Sequence, residues 1–202
     1  MSYKVTHMFP NYLFEGKLEL PQEVEDLLKE SIPENLNSGI SIDTHFGKVT
    51  DKGQPLSKHL KHLQLLVGKM FTDESNKVME VYKRNVEICN PYLISVKPGH
   101  IYPMNLEKER WYNACVFLQT TNKGSHLYFE DYSNKIYASP NLLQPETIAV
   151  APEKNKIVFW PSHIPWGMTV NESSVDTICF ICSFTAKMKP KYLRQLGKNV
   201  RR

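Results

Sequence analysis

The second half of the chain contains many short apolar segments, and this pattern constrains the fold more than any other feature. After Pro91, six segments rich in β-branched and aromatic residues are separated by turns containing Gly, Pro, Asn or Ser. The predicted strands are Tyr92–Val96, Trp111–Leu118, His126–Glu130, Thr147–Ala151, Lys156–Trp160 and Thr177–Phe184. Short strands at such regular spacing are typical of a β-sandwich or jelly roll.

The first half has the periodicity of helices. Pro21 is placed to open a helix, because a missing N–H costs least at the first helical position, and Pro33 is predicted to end it. Apolar residues at three- and four-residue spacing predict a second helix over 56–84, with a candidate break at Thr72 and Asp73. Helices in front of strands predict an α+β fold in which the helices brace one face of the sheets.

Charge divides the chain into a body and a tail. We expect residues 1–186 to form a single domain, with 1–90 as lead-in and supporting helices and 91–186 as the β core. The chain carries a net charge of +4, whereas residues 187–202 alone carry +7 and the body therefore −3. The basic residues of this tail are Lys187, Lys189, Lys191, Arg194, Lys198, Arg201 and Arg202. Such a tail favours an acidic protein or a nucleic acid as partner, and a merely solvated tail is the alternative.

Cysteine usage and hydropathy indicate a protein of a reducing compartment. The chain has four cysteines in apolar segments, too few for a disulfide framework. Cys179 and Cys182 have CxxC spacing, but residues three apart in a strand point to opposite faces, so we expect their sulfurs to diverge. There is no apolar run that could span a bilayer and no signal-peptide pattern, so neither a membrane location nor secretion by a signal peptide is expected.

Three short segments carry a resemblance to a known family. They are PGHIYP at 98–103, KGSHLYFED at 123–131 and VFWPSHIPW at 158–166. In their order and spacing they resemble the 2-oxoglutarate/Fe(II)-dependent dioxygenases, in particular the prolyl-hydroxylase-like forms common in marine tailed phages. The resemblance covers residues 93–184, about half of the chain. It implies a double-stranded β-helix, which is a jelly roll, with supporting helices N-terminal to it.

That family holds Fe(II) with two histidines and one carboxylate, and it pairs 2-oxoglutarate with a basic residue. Transferred to this chain, the family's H-x-D pair falls on Met104 and Leu106, its distal histidine on Trp166 and its basic residue close to Thr177. None of these side chains can perform the family's role. The resemblance therefore implies a fold that has lost its iron, and we expect neither a catalytic residue nor a cofactor.

Two ways of keeping a metal remain open at this point. A shift of the register by one residue puts Asn105 and Glu107 at the H-x-D pair, which still lacks a histidine. A rebuilt site would use His100, His126 and His163, each of which is more simply read as a surface or structural histidine.

We expect a catalytically silent, dioxygenase-fold protein that serves as a structural or binding subunit. The phage character of the resemblance suggests a virion component of the neck or tail region, located in the virion or the host cytoplasm. Its partners would be other protein subunits in a homo- or hetero-oligomer, with acidic or nucleic-acid contacts through the tail. One alternative is an active hydroxylase using Fe(II) and 2-oxoglutarate, and another is a nucleic-acid-binding module that depends on the tail.

Overall fold

The computed structural model describes residues 4–8, 11–52, 57–79, 84–106, 110–130 and 147–190. Within these residues, helix α1 spans Gln22–Leu36 and helix α2 spans Lys58–Met79. The strands are β1 Lys4–Met8, β2 Asn11–Lys17, β3 Ser41–Thr44, β4 Gly47–Thr50, β5 Arg84–Val96, β6 Tyr102–Asn105, β7 Tyr112–Gln119, β8 Leu127–Glu130, β9 Thr147–Val150, β10 Lys156–Pro161, β11 Trp166–Met168 and β12 Thr177–Met188. No helix of the described part is long and apolar enough to cross a membrane.

The strands form two antiparallel sheets. The larger sheet has the order β1-β2-β10-β7-β12-β5-β4-β3, and the smaller has the order β6-β11-β8-β9. From β5 onward the chain passes repeatedly from one sheet to the other, so that strands distant in sequence become neighbours. This is the connectivity of a jelly roll, and it confirms the prediction of an α+β fold built on a double-stranded β-helix.

The two sheets enclose an interior core, here called the barrel interior. Inward-facing residues alternate along the strands of the larger sheet, such as Cys179 and Ile181 on β12. The smaller sheet contributes Phe129 on β8 and Trp166 and Met168 on β11. All five of these side chains are buried.

A second core lies between the outer face of the larger sheet and the helices. Phe180, Cys182 and Phe184 of β12 belong to it, and the ring of Phe71 on α2 stacks on that of Phe184 at 4.2 Å between centroids. The predicted bracing of one face by helices is therefore confirmed. Cys179 and Cys182 lie in different cores, which confirms that the CxxC sulfurs diverge.

The prediction that Pro33 ends helix α1 is wrong, because the helix continues to Leu36. Pro33 cannot donate a backbone hydrogen bond, so its place inside a helix has a cost. Ile32 and Leu36 are buried in the outer core on either side of it. The helix continues because burial of these two side chains outweighs the single missing bond.

The prediction was also wrong about where β5 begins and where β12 ends, whereas the end of β5 at Val96 and the start of β12 at Thr177 were predicted correctly. β5 starts at Arg84, eight residues before the predicted strand, and pairs with β12 as far as Met188. The register shifts between Ile181 and Ser183, next to Asn90, which has a φ of 50°. The ladder includes Lys187, so the first basic residue of the predicted tail belongs to a strand.

A glycine at the start of β4 is required by close packing of two backbones. Gly47 has a φ of 150°, and a Cβ placed on it would lie 1.9 Å from the carbonyl oxygen of Ser95. That oxygen belongs to β5 and cannot move away without breaking the sheet. A Cβ placed on Gly39, in contrast, would meet no atom within 4 Å beyond its neighbours in the chain.

We predict that Gly47→Ala lowers the free energy of unfolding by about 2 kcal/mol or more, because backbone strain and the clash with β5 add together. The matched variant Gly39→Ala should change it by less than about 1 kcal/mol. Urea unfolding followed by circular dichroism measures both. Equal urea midpoints for the two variants would contradict this prediction. They would show that the hairpin of β3 and β4 can move away from β5 without loss of stability.

Candidate functional site: the barrel interior

A tight corner connects the larger sheet to the smaller one and positions the candidate site. β10 ends at Pro161, where the N–H of Ser162 donates to the carbonyl of Trp111 at 3.1 Å. The N–H of Ile164 donates to the carbonyl of Pro161 at 3.1 Å and closes the turn. His163 lies exposed at this turn, and β11 begins at Trp166, whose side chain points into the barrel interior.

Trp166 is packed on both sides by other aromatic rings. It is 0% exposed, its indole stacks on Tyr102 at 5.2 Å with 17° between the planes, and it meets Trp160 edge-on at 5.2 Å and 63°. Trp160 in turn contacts Phe129 at 5.3 Å. The position that the family resemblance assigns to a distal metal ligand is therefore occupied by a side chain integrated into the core.

Asn105 is the residue of β6 directly opposite Trp166. Met104, its neighbour, is half-buried, and Leu106 is 38% exposed, with its N–H bonded to the side-chain oxygen of Asn105 at 2.9 Å. In the shifted register, Asn105 and Glu107 would take the place of the H-x-D pair. Glu107 lies outside the described residues.

Thr177 lies at the other end of the barrel, where β12 begins opposite Val96. It is fully buried, and its hydroxyl oxygen accepts a hydrogen bond from the N–H of Ser125 at 3.1 Å. A Cβ on Gly124 would come within 2.8 Å of this oxygen, so Thr177 packs closely against the turn before β8. Thr177 thus joins β12 to the loop that leads into the smaller sheet.

The barrel interior contains two buried thiols, those of Cys115 and Cys179. Burial raises the pKa of the Cys179 thiol well above its usual value, and the adjacent Cys115 thiol raises it further. The Cys179 sulfur is therefore protonated at neutral pH, and a neutral thiol is a poor metal ligand. Among the described residues, no Lys, Arg, Asp or Glu is buried.

The three histidines considered for a rebuilt metal site do not form a cluster. His100 is exposed after β5, with a ring nitrogen 2.9 Å from the carbonyl oxygen of Pro98. His126 lines a surface cleft of about 280 Å³ together with Lys123 and Glu172. Within the described ranges, no three His, Cys, Asp or Glu side chains are grouped closely enough to hold a metal ion.

The described residues do not fit Fe(II) and 2-oxoglutarate. A facial triad needs two imidazoles and a carboxylate, whereas Trp166 offers an indole N–H, which only donates, and Asn105 offers an amide. The distal carboxylate of 2-oxoglutarate needs a cation, but Thr177 holds a neutral hydroxyl at the expected position. The rings of Tyr102 and Trp160 also pack against the indole of Trp166, so apolar side chains fill this position.

The basic residues proposed for partner binding are only partly described. Lys187 is exposed at the end of β12, and Lys189 follows two residues later, half-buried. Lys191, Arg194, Lys198, Arg201 and Arg202 lie outside the described residues. The backbone of Lys187 is therefore paired with β5, and the last strand ends at Met188.

Sequence reasoning missed three residues that shape the barrel interior: Tyr102, Trp160 and Asn113. Tyr102 and Trp160 hold Trp166 between them, and Asn113 on β7 lies directly opposite Trp160. The alternation of β7 and β10 could have placed Asn113 and Trp160 on the inner face. Tyr102 could not be found in this way, because β6 was not predicted.

Comparisons with known proteins bear on the fold alone. The sequence matches no protein-family model and no curated protein. Its structure is similar to the non-heme α-ketoglutarate-dependent epimerase SnoN of nogalamycin biosynthesis, with a TM-score of 0.64 and 8% identity over 88% of this chain and 81% of that one. It is also similar to a prolyl-4-hydroxylase of Pseudomonas putida, with a TM-score of 0.58 and 13% identity over 86% of this chain and 91% of that one.

A third similar structure is an oxidoreductase of the 2OG-Fe(II) oxygenase family from Burkholderia pseudomallei, with a TM-score of 0.56 and 9% identity over 83% of this chain and 93% of that one. At such low identities, the likeness concerns the arrangement of the backbone and not the chemistry of the site. The chain has the double-stranded β-helix fold of the 2-oxoglutarate/Fe(II)-dependent oxygenases.

Proposed function

We propose that this protein is a non-catalytic member of the double-stranded β-helix fold and serves as a structural or binding subunit of a larger assembly. One observation carries the proposal: the indole of Trp166, at the distal ligand position, is packed between Tyr102 and Trp160 with no exposed surface. An indole cannot coordinate Fe(II), and moving it aside would break up the core of the barrel.

The substitutions at the other positions support the same reading. Asn105 faces Trp166 where the family has a ligand pair, and Thr177 is engaged with the backbone of Ser125 where the family has a cation. The first difference removes a group that would coordinate the metal. The second removes the cation that would pair with the cosubstrate. A chain that binds neither the metal nor the cosubstrate cannot carry out the family's reaction.

The distribution of charge supports a role in an assembly. Residues 187–202 carry +7 and the body −3, so the end of the chain can bind an acidic surface of another subunit. The pairing of Lys187 with Asn85 holds the start of this basic segment at the end of a long antiparallel ladder. We place the protein in the neck or tail of a tailed-phage virion because three of its segments resemble phage-borne forms. These segments are residues 98–103, 123–131 and 158–166.

The absence of catalysis can be tested by metal and cosubstrate binding. We predict that the purified protein takes up no stoichiometric Fe(II) or Mn(II) under anaerobic conditions and produces no succinate from 2-oxoglutarate. Calorimetry and mass spectrometry measure the two quantities, with an active prolyl-4-hydroxylase as positive control. One equivalent of metal together with succinate formation would instead establish an active hydroxylase.

The role of the basic tail can be tested with charge variants that spare the β5–β12 ladder. We predict that removal of residues 191–202 together with Lys187→Gln and Lys189→Gln weakens binding to a polyglutamate probe at least about tenfold, or about 1.4 kcal/mol. Wild-type binding should weaken as salt rises. Fluorescence anisotropy of the labelled probe measures both effects.

A control variant changes two exposed lysines of the body, Lys58→Gln and Lys61→Gln. It should bind the polyglutamate probe as the wild type does. Equal affinity of the tail variant and the wild type would contradict a tail-mediated contact. Tighter binding to duplex DNA than to polyglutamate, again lost with the tail, would favour the nucleic-acid alternative.

The virion assignment makes a separate prediction. A structural subunit should co-sediment with purified virus particles in a constant ratio to the other virion proteins, because it is held in the assembly. Quantitative mass spectrometry of gradient fractions measures this ratio. Recovery of the protein only from the lysate supernatant would contradict a role in the particle.

A further inference from the structure

Four polar atoms in the barrel interior have no hydrogen-bond partner in the protein. They are the amide nitrogen and oxygen of Asn113 and the indole nitrogens of Trp160 and Trp166. Asn113 is 1% exposed and the two tryptophans are 0% exposed. Buried polar groups in folded proteins are nearly always satisfied, by protein or by ordered water. The four atoms therefore point to a ligand that completes their hydrogen bonding.

The three side chains are neighbours at one end of the barrel. Asn113 on β7 is directly opposite Trp160 on β10, and cross-strand partners point to the same face of a sheet. Trp160 meets Trp166 at 5.2 Å between ring centroids. The three side chains therefore lie in one region of the barrel interior, where β10 ends and β11 begins.

The balance of donors and acceptors restricts the ligand. The two indoles offer one N–H each and the Asn113 amide offers two, against a single acceptor, the Asn113 carbonyl oxygen. The ligand must therefore accept hydrogen bonds, and it must also donate one to the Asn113 oxygen.

The electrostatics of the interior exclude a charged ligand. An anion would accept the indole hydrogens, but burying it needs a compensating cation. Among the described residues, no Lys or Arg is buried. Cys179 adds no charge, since burial raises the pKa of its thiol and keeps it protonated. A small neutral molecule that both accepts and donates satisfies every requirement.

We infer that this region holds at least one ordered water molecule, bound by Asn113 together with one or both of the indoles of Trp160 and Trp166. A buried water makes about three hydrogen bonds, and these side chains offer enough donors and an acceptor to form them. The inference does not depend on the proposed function, because a structural water is compatible with an active or a silent protein. It assigns Asn113 a role in joining the larger sheet to β11 of the smaller one.

The test uses the full chain labelled with ¹⁵N-tryptophan. Three indole signals are expected, from Trp111, Trp160 and Trp166, and the variants Trp111→Phe, Trp160→Phe and Trp166→Phe assign them. A bound water gives a direct cross-peak from at least one of the Trp160 and Trp166 indole hydrogens to the water resonance. Cross-peaks from neither would overturn the inference, and this result needs no variant other than those for assignment.

A matched pair of variants tests the role of Asn113. Asn113→Leu keeps the size of the side chain and removes its polar atoms, so the water cross-peaks should be lost, whereas Asn122→Leu at the exposed turn after β7 should leave them unchanged. Water cross-peaks that persist in folded Asn113→Leu would remove Asn113 from the site.

A crystal structure gives the second readout. Density for a water within hydrogen-bonding distance of the Asn113 amide and at least one of the two indole nitrogens is the expected result. An empty space, or density for an ion or an organic acid, would overturn the inference.

Discussion

The burial of β12 on both faces is the constraint on which the rest of the structure depends. Every residue from Thr177 to Phe184 is buried, and the strand is paired on one edge with β5 and on the other with β7. Its alternate side chains must therefore find two separate apolar environments. The smaller sheet supplies one, which is the barrel interior, and helices α1 and α2 supply the other.

This constraint leaves the content of the barrel interior free to change, provided that the space is filled. An oxygenase of this fold devotes part of the space to polar ligands for metal and cosubstrate, which work against close packing. In this chain, Trp166, Tyr102 and Trp160 fill the region with aromatic surface. The backbone can thus be kept while the chemistry is exchanged, so the fold alone does not assign a function.

Much of the architecture could be predicted from the sequence because it rests on long, strongly patterned segments. The alternation or apolar run of β5, β7, β10 and β12 and the periodicity of α2 each extend over several residues. β6 and β11 could not be predicted, because they have only four and three residues and exist through pairing with each other and with β8.

The candidate site was predictable in part. The resemblance at 158–166 led to the prediction that Trp166 stands at a ligand position, which stays a prediction, and the structure places that residue in the barrel interior. The register of β6 was not predictable, since it is set by the pairing of Asn105 with Trp166 and not by any local pattern. Likewise, Pro33 is a local signal for a helix end that burial of Ile32 and Leu36 overrides.

The aromatic packing around Trp166 also changes what the stability of the fold depends on. A protein that binds a ligand in its native state alone gains stability as ligand concentration rises, by about 2.7 kcal/mol when the concentration is a hundred times the dissociation constant. The contacts of Trp166 with Tyr102 and Trp160 are made by the chain itself and are present at every iron or oxoacid concentration. This part of the folding free energy therefore does not change with the concentration of iron or of a 2-oxoacid in the surroundings.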